Sequence, residues 1–155
     1  VTPEEFKEAL ASWATGVTVV ATEWEGHRYG LTASSFTSVS LTPPLVLVCV
    51  DRQAESCEAL LQAGSFGVSI LALGQEEAAM QMARSGEQKF EGLPFEPGPT
   101  LGQPLLRGAL AHLECRTFRA DDAGDHVLLL GEVHATRTHE GSPLLYARRR
   151  FHGLG

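Results

Sequence analysis

Cysteine is scarce, with three in 155 residues, and Cys49, Cys57 and Cys115 make no C-x-x-C pair. An odd count without that spacing argues against a disulfide framework and a structural zinc site, so each thiol reads as a small core residue. Positive charge is short too. Twelve Lys and Arg stand against 19 Asp and Glu, a formal charge of −7. Nucleic-acid backbones are held by basic faces, so no nucleic-acid partner is expected. No apolar run nears the ~20 residues of a membrane span, and the first residues do not read as a basic, apolar leader. A soluble cytoplasmic protein with no membrane partner is the expectation. The chain also lacks G-x-G-x-x-G, G-x-x-x-x-G-K and G-x-S-x-G, which leaves a Rossmann domain, a phosphate loop and a hydrolase elbow without support. One domain spanning 1–155 fits the length.

What is present concentrates in GLTASSFTSVSLTPPLVLVCVDR, Gly30 to Arg52. Thr32, Ser34, Ser35, Thr37, Ser38 and Ser40 put six hydroxyls in nine residues. Each would need a partner if buried, so the run suits a surface that holds something polar. The solvent face of an edge strand is the plainer alternative. Pro43-Pro44 belongs at a loop or strand start, because proline offers no N–H to a ladder. Leu45 to Val50 then reads as a buried strand closed by Asp51-Arg52.

Around this stretch the signals are mainly those of strands. Thr2-Pro3-Glu4-Glu5 is a capping box opening a helix with Phe6, Ala9, Leu10 and Trp13 on one face, expected to pack on the sheet or to act as a lid. Gly16 to Trp24 and Tyr29 to Phe36 read as a hairpin about a turn at Glu25 to Arg28. Ala54 to Gln62 reads as a helix stopped by Gly64, with Ser56 near its start as a cap or an anion ligand. Phe66 to Leu71 reads as a strand and Gln75 to Arg84 as a helix, with Met80 and Met82 as packing residues. Residues 86–104 carry too many Gly and Pro for regular structure. Ala109 to Phe118 alternates as a strand with one small apolar face. A polar turn at Asp121 to His126 follows, whose spacing matches no metal-ligand pattern, so no metal is expected. His126 to His139 continues as a long strand with a bulge at Gly131. Leu144 to Phe151 closes the chain as one strand, with Arg148 and Arg150 on one face and Arg149 on the other.

The order GLTASSF-x-SVS-x-x-PPLV, preceded by ATGVTVV and followed by a Gly124-Asp125-His126 triplet and a PLLYARRRF segment, resembles the flavin reductase-like family. That resemblance implies a mainly β fold with a few helices, the FMN-binding split β-barrel, in a homodimer. It implies hydride transfer from NADH or NADPH to FMN or FAD, with the reduced flavin passed to a partner monooxygenase. It places Thr32, Ala33, Ser34 and Ser35 along the ribityl and phosphate side, and Ser38 and Val39 near the stacked rings. Cys49, Val50, Asp51 and Arg52, with Ser56, fall at the ring edge and phosphate. His126 falls on the nicotinamide side as a neutral donor, the one catalytic candidate. Ala83 through its backbone, Phe90 from the Lys89-Phe90 segment, and Arg149 with Phe151 complete the set. A non-catalytic flavin-binding module and a pyridoxamine-phosphate oxidase-like protein of the same fold remain alternatives.

Overall fold

Alternating β-branched and aliphatic residues make this chain mostly strand, and the computed structural model describes residues 1–155. In chain order the elements are α1 (Pro3–Leu10), β1 (Thr15–Gly16), β2 (Thr18–Trp24), β3 (His27–Ala33), β4 (Phe36–Leu41), β5 (Pro44–Asp51), α2 (Cys57–Ala63), β6 (Ser65–Ile70) and α3 (Glu76–Met82). A 3-10 turn at Glu87–Phe90 leads to β7 (Phe95–Pro97), β8 (Pro104–Leu106), β9 (Ala111–Ala123), β10 (His126–Thr138), β11 (Leu145–Ala147) and β12 (Arg150–His152).

Seven strands form one sheet in the order β3-β2-β6-β9-β10-β5-β4, antiparallel throughout. β3 and β4 are consecutive in sequence yet stand at opposite edges, and no ladder closes the sheet between them. The sheet is strongly curled all the same. One core cluster takes Ala33 from β3, Val46, Val48 and Val50 from β5, and Phe66, Cys115 and Leu129 from the middle, with Phe36 of β4 packed against it. Cys57 and Leu60 of α2 plug this interior. The opposite face of β2 feeds a second cluster through Val19 and Ala21, covered by Ala79 and Met82 of α3, by Leu106 and by Leu144. Period-2 alternation therefore leaves β2 buried on both faces, with Val20 in the first cluster and its neighbours in the second.

Local chemistry explains the elements. α1 starts from Thr2, whose hydroxyl accepts from Glu5 N–H while Glu5 Oε2 accepts from Thr2 N–H, a closed capping box. α2 stops at Gly64, at φ 78°. The β9–β10 ladder slips between Leu130 and Gly131, the bulge its glycine announced. A Cβ on Gly131 would stand 2.5 Å from the Phe66 ring and 2.9 Å from Cys115 Cβ, so only glycine lets the strand pass.

Several sequence expectations are corrected. α1 buries no residue, so it is not packed into the core; Phe6, Leu10 and Trp13 are 57, 50 and 72 % exposed. The strand expected to run from Tyr29 to Phe36 begins at His27 and breaks at Ser34-Ser35, so the hydroxyl run spans two strands on opposite sheet edges. Residues 86–104 contain regular structure, the 3-10 turn and the β7–β8 hairpin. β9 runs on through Asp121, Asp122 and Ala123, which were expected in a turn, because β10 offers a ladder partner to each. Its buried side chains include His112 and Glu114, not only the small apolar set. Glu114 accepts from the N–H groups of Thr100 and Leu101, and His112 Nε2 meets Leu106 O at 2.7 Å. Leu144 to Phe151 is a hairpin, not one strand, since Arg148 and Arg149 turn the chain at φ 52° and 60°. The alternation of arginine faces expected there does not apply.

Candidate functional site

The break between β3 and β4 opens onto two grooves. The larger, about 580 Å³, lies between α1 and the strands; Phe6, Leu10 and Trp13 face Ser34, Ser35, Thr37, Leu47 and Cys49 across it. The smaller, about 420 Å³, lies under α3, with Thr32, Ala79, Met80 and Ala83 facing Tyr146 and Phe151. Ser34, Tyr146 and Arg149 belong to both walls. The grooves meet at those three residues.

Why the chain opens here follows from its hydrogen bonds. β3 is held to β2 as far as Ala33, and Thr18 Oγ1 donates to Ala33 O at 2.7 Å. β4 begins at Phe36 on the opposite edge. Ser35 ties the crossing down, because its Oγ donates to Cys49 O at 2.9 Å and Cys49 N–H reaches back to Ser35 O at 3.2 Å. Thr32 Oγ1 donates to Ala79 O at 2.6 Å, docking α3 beside the smaller groove. Ser34 makes no such bond and is exposed where the grooves meet. Thr15, in the wall of the larger groove, has a buried Oγ1 with no hydrogen-bond partner.

Charge favours an anion here. Neither wall includes an Asp or Glu, although the chain carries a net −7, and the walls do include Lys7, Arg148 and Arg149. A hydroxyl-rich, carboxylate-free pocket with apolar sides fits a ring system bearing phosphate.

The residues picked out by sequence divide into groups. Thr32, Ser34, Ser35, Cys49, Ala83 and Arg149 line one or both grooves. Ala33 and Val50 are buried in the core, 6 and 2 % exposed. Ser56 is buried, and its hydroxyl donates to Gly30 O at 2.8 Å instead of capping α2. Phe90 sits in the second cluster against Phe95, beside Lys89, whose burial pulls its ammonium pKa down. Ser38 and Val39 lie exposed on β4, at its bulge and outside both grooves.

Asp51, Arg52 and His126 gather at the far end of β5. Asp51 is the ladder partner of His126 and shares a sheet face with Cys49, two residues back, so His126 stands one strand away on the groove-side face. Arg52 is committed to the β9–β10 turn, donating to Asp122 Oδ1 at 2.7 Å and to Gly124 O at 3.1 Å. Asp51 Oδ1 accepts from Gln53 N–H. His126 Nδ1 lies 2.7 Å from Asp125 Oδ1, and that hydrogen bond holds the Asp125 carboxyl below the usual range. A carboxylate only accepts, so Nδ1 carries the proton. That pairing leaves Nε2 as the ring nitrogen without a protein hydrogen bond.

Sequence reasoning passed over Thr15, Phe36, Leu47 and Tyr146 as lining residues and read Met80 as packing. Met82 is indeed buried, but Met80 is 53 % exposed in the smaller groove. Likewise Cys57 and Cys115 are core thiols while Cys49 is half-exposed at the larger groove. Burial lifts the Cys115 pKa to about 12 and also raises that of Cys57. Strand alternation was the available signal for Leu47 and Cys49, which share the face opposite Val46, Val48 and Val50.

Comparison with known proteins bears on this site. A flavin reductase like domain matches residues 10–155. This chain belongs to the flavin reductase-like family. It is 40 % identical over 152 residues to a flavin reductase (NADH) of Kitasatospora aureofaciens, covering 96 % of this chain and 80 % of that protein. It is 41 % identical over 152 residues to the reductase component of 4-hydroxyphenylacetate 3-monooxygenase of Thermus thermophilus, covering 97 % and 96 %. Among solved structures, the NADH:FAD oxidoreductase of Streptomyces globisporus, in complex with NAD and FAD fragments, superimposes with a TM-score of 0.94 at 38 % identity, over 100 % of this chain and 96 % of that one. Family membership thus rests on nearly the whole chain, both grooves included.

Proposed function

We propose that this chain is a flavin reductase that oxidises NADH or NADPH, transfers the hydride to FMN or FAD, and supplies reduced flavin to a monooxygenase. The observation that carries the reading is the pair of joined grooves without a carboxylate, in a strongly acidic chain whose relatives are NADH-dependent flavin reductases. When bound, the flavin supplies a ring that accepts hydride and the nicotinamide supplies the hydride.

The protein's own work is holding, orienting and drying. Ser34 and the unpartnered Thr15 hydroxyl offer hydrogen bonds to a polar edge, and Arg149, Arg148 and Lys7 offer cations to phosphate. Phe36, Leu47, Tyr146 and the apolar face of α1 exclude water from the reacting face, which preserves close approach of the two rings. Ala33, Val50 and Ser56, with buried side chains, act through their backbone or by support. His126, on the sheet face that carries Cys49, offers its Nε2 to a polar group of the nicotinamide such as the carboxamide. No residue needs to act as a strong acid or base, in keeping with hydride chemistry carried by the cofactors.

In this reading the curled open sheet is the family's split barrel, two copies pair to complete it, and the protein works in the cytoplasm. Following NADH and NADPH oxidation with and without added FMN or FAD tests the function. Oxidation that requires flavin and rises to saturation with it is expected. Equal rates with and without flavin would reject the proposal in favour of a passive binding module.

A further inference from the structure

We propose that Glu8 competes with the bound nucleotide's phosphate for Arg149, so that α1 is a strap whose hold on the larger groove is exchanged for ligand. The inference rests on the reading of the grooves as a nucleotide site. Arg149 is where the two ideas meet. It lines both grooves and is the single cation in the wall of the smaller one. Its guanidinium is already engaged, since Nη1 donates to Glu8 Oε2 at 3.2 Å, with the two side chains 60 and 69 % exposed.

The turn that carries Arg149 is built at a cost. Arg148 and Arg149 both adopt left-handed φ, 52° and 60°, in the two-residue connection between β11 and β12. Such turns suit Asn-Gly, and two arginines there bear strain that a loop without a task need not keep. The conformation aims Arg149 at the junction of the grooves. It also tethers the helix, because Arg148 N–H donates to Ala11 O at 2.7 Å, just beyond α1. α1 itself buries no side chain, so this tether and the Glu8 pair are its polar links to the hairpin.

An exposed ion pair is weak, whereas a guanidinium holds a phosphate through two parallel, charge-assisted hydrogen bonds. Exchange from Glu8 to phosphate therefore runs downhill. It leaves a carboxylate beside the incoming anion, which lowers affinity as long as Glu8 stays charged and near. Release of the ligand restores the pair and draws α1 back over the groove. The arrangement gives rapid turnover of nucleotide rather than tight retention.

Titration calorimetry with ADP as the anionic probe and riboflavin as the uncharged one tests the exchange. Glu8→Gln is expected to bind ADP about two- to fivefold more tightly, the range set by one exposed pair, with riboflavin affinity unchanged. Arg149→Ala is expected to bind ADP more weakly, and adding Glu8→Gln to it should restore nothing. Unaltered ADP affinity in Glu8→Gln, or a gain that persists without Arg149, overturns the competition. A parent protein that binds neither ADP nor FMN would instead overturn the nucleotide-site reading on which it rests. Glu8 lies on a helix with no buried residue, so its substitution leaves the fold intact.

Discussion

His126 and Asp125 show how a neighbour fixes the role of a single side chain. The imidazole commits Nδ1 to the carboxylate, and the carboxylate's pKa falls because ionised oxygen is the better acceptor. Since the folded value is depressed, whatever this pair contributes to stability is fully present above the unfolded carboxyl's pKa and is lost as pH falls through the folded one. Titration of the Asp125 carboxyl carbon by NMR should give a midpoint below that of an ordinary aspartate. In His126→Ala the midpoint should move up; an unmoved midpoint would mean that His126 is not its partner. The triplet containing this pair was legible in the sequence by resemblance. Which ring nitrogen is paired was not, because that depends on the Asp125 rotamer.

Elements formed where periodic patterns and turn residues agreed, and differed where tertiary pairing overrode them. The capping box, the Gly64 stop and the Gly131 bulge each rest on local chemistry and were readable. The β11–β12 turn was not, because arginine gives no sign of left-handed backbone. The extension of β9 through two aspartates was equally hidden, since a ladder with β10 outweighs their turn preference. Glu114 is a further case, a charged residue 3 % exposed whose carboxylate pins the backbone of Thr100 and Leu101. Glu114→Ala would take the charged acceptor from those N–H groups, a cost of about 1.5–3 kcal/mol for hydrogen bonds to a charged group. Urea unfolding should show that loss, with Glu114→Gln in between; an alanine variant as stable as the parent would contradict the latch.

For the whole molecule, resemblance and residue pattern pointed to a mainly β fold with a few helices, and the structure is mainly β with three helices, its seven-stranded sheet left open. Of the residues picked out as the site, those flanking the β3–β4 break came together at the grooves. Ser38 and Val39 did not join them, since they lie further along β4 at its bulge, and His126 stands one strand away on β10. No helix is long and apolar enough to cross a membrane. Several large apolar side chains nonetheless face solvent, among them Leu41 at 89 % and Trp13 at 72 %, and β4 is a free edge. Pairing of two copies would cover such surface, so sedimentation equilibrium should return twice the chain mass; a monomer at micromolar concentration would reject the dimer.

The most direct test of the account is anaerobic mixing of the protein with NADH, and separately NADPH, while following flavin absorbance in the presence of excess free FMN or FAD. Bleaching of many flavin equivalents per chain is predicted, since a site traded between ligands turns over and releases its product. A bleach limited to one equivalent would mean a resident flavin serving another acceptor. No bleaching with either nucleotide would contradict the central claim that these grooves bring nicotinamide and flavin together.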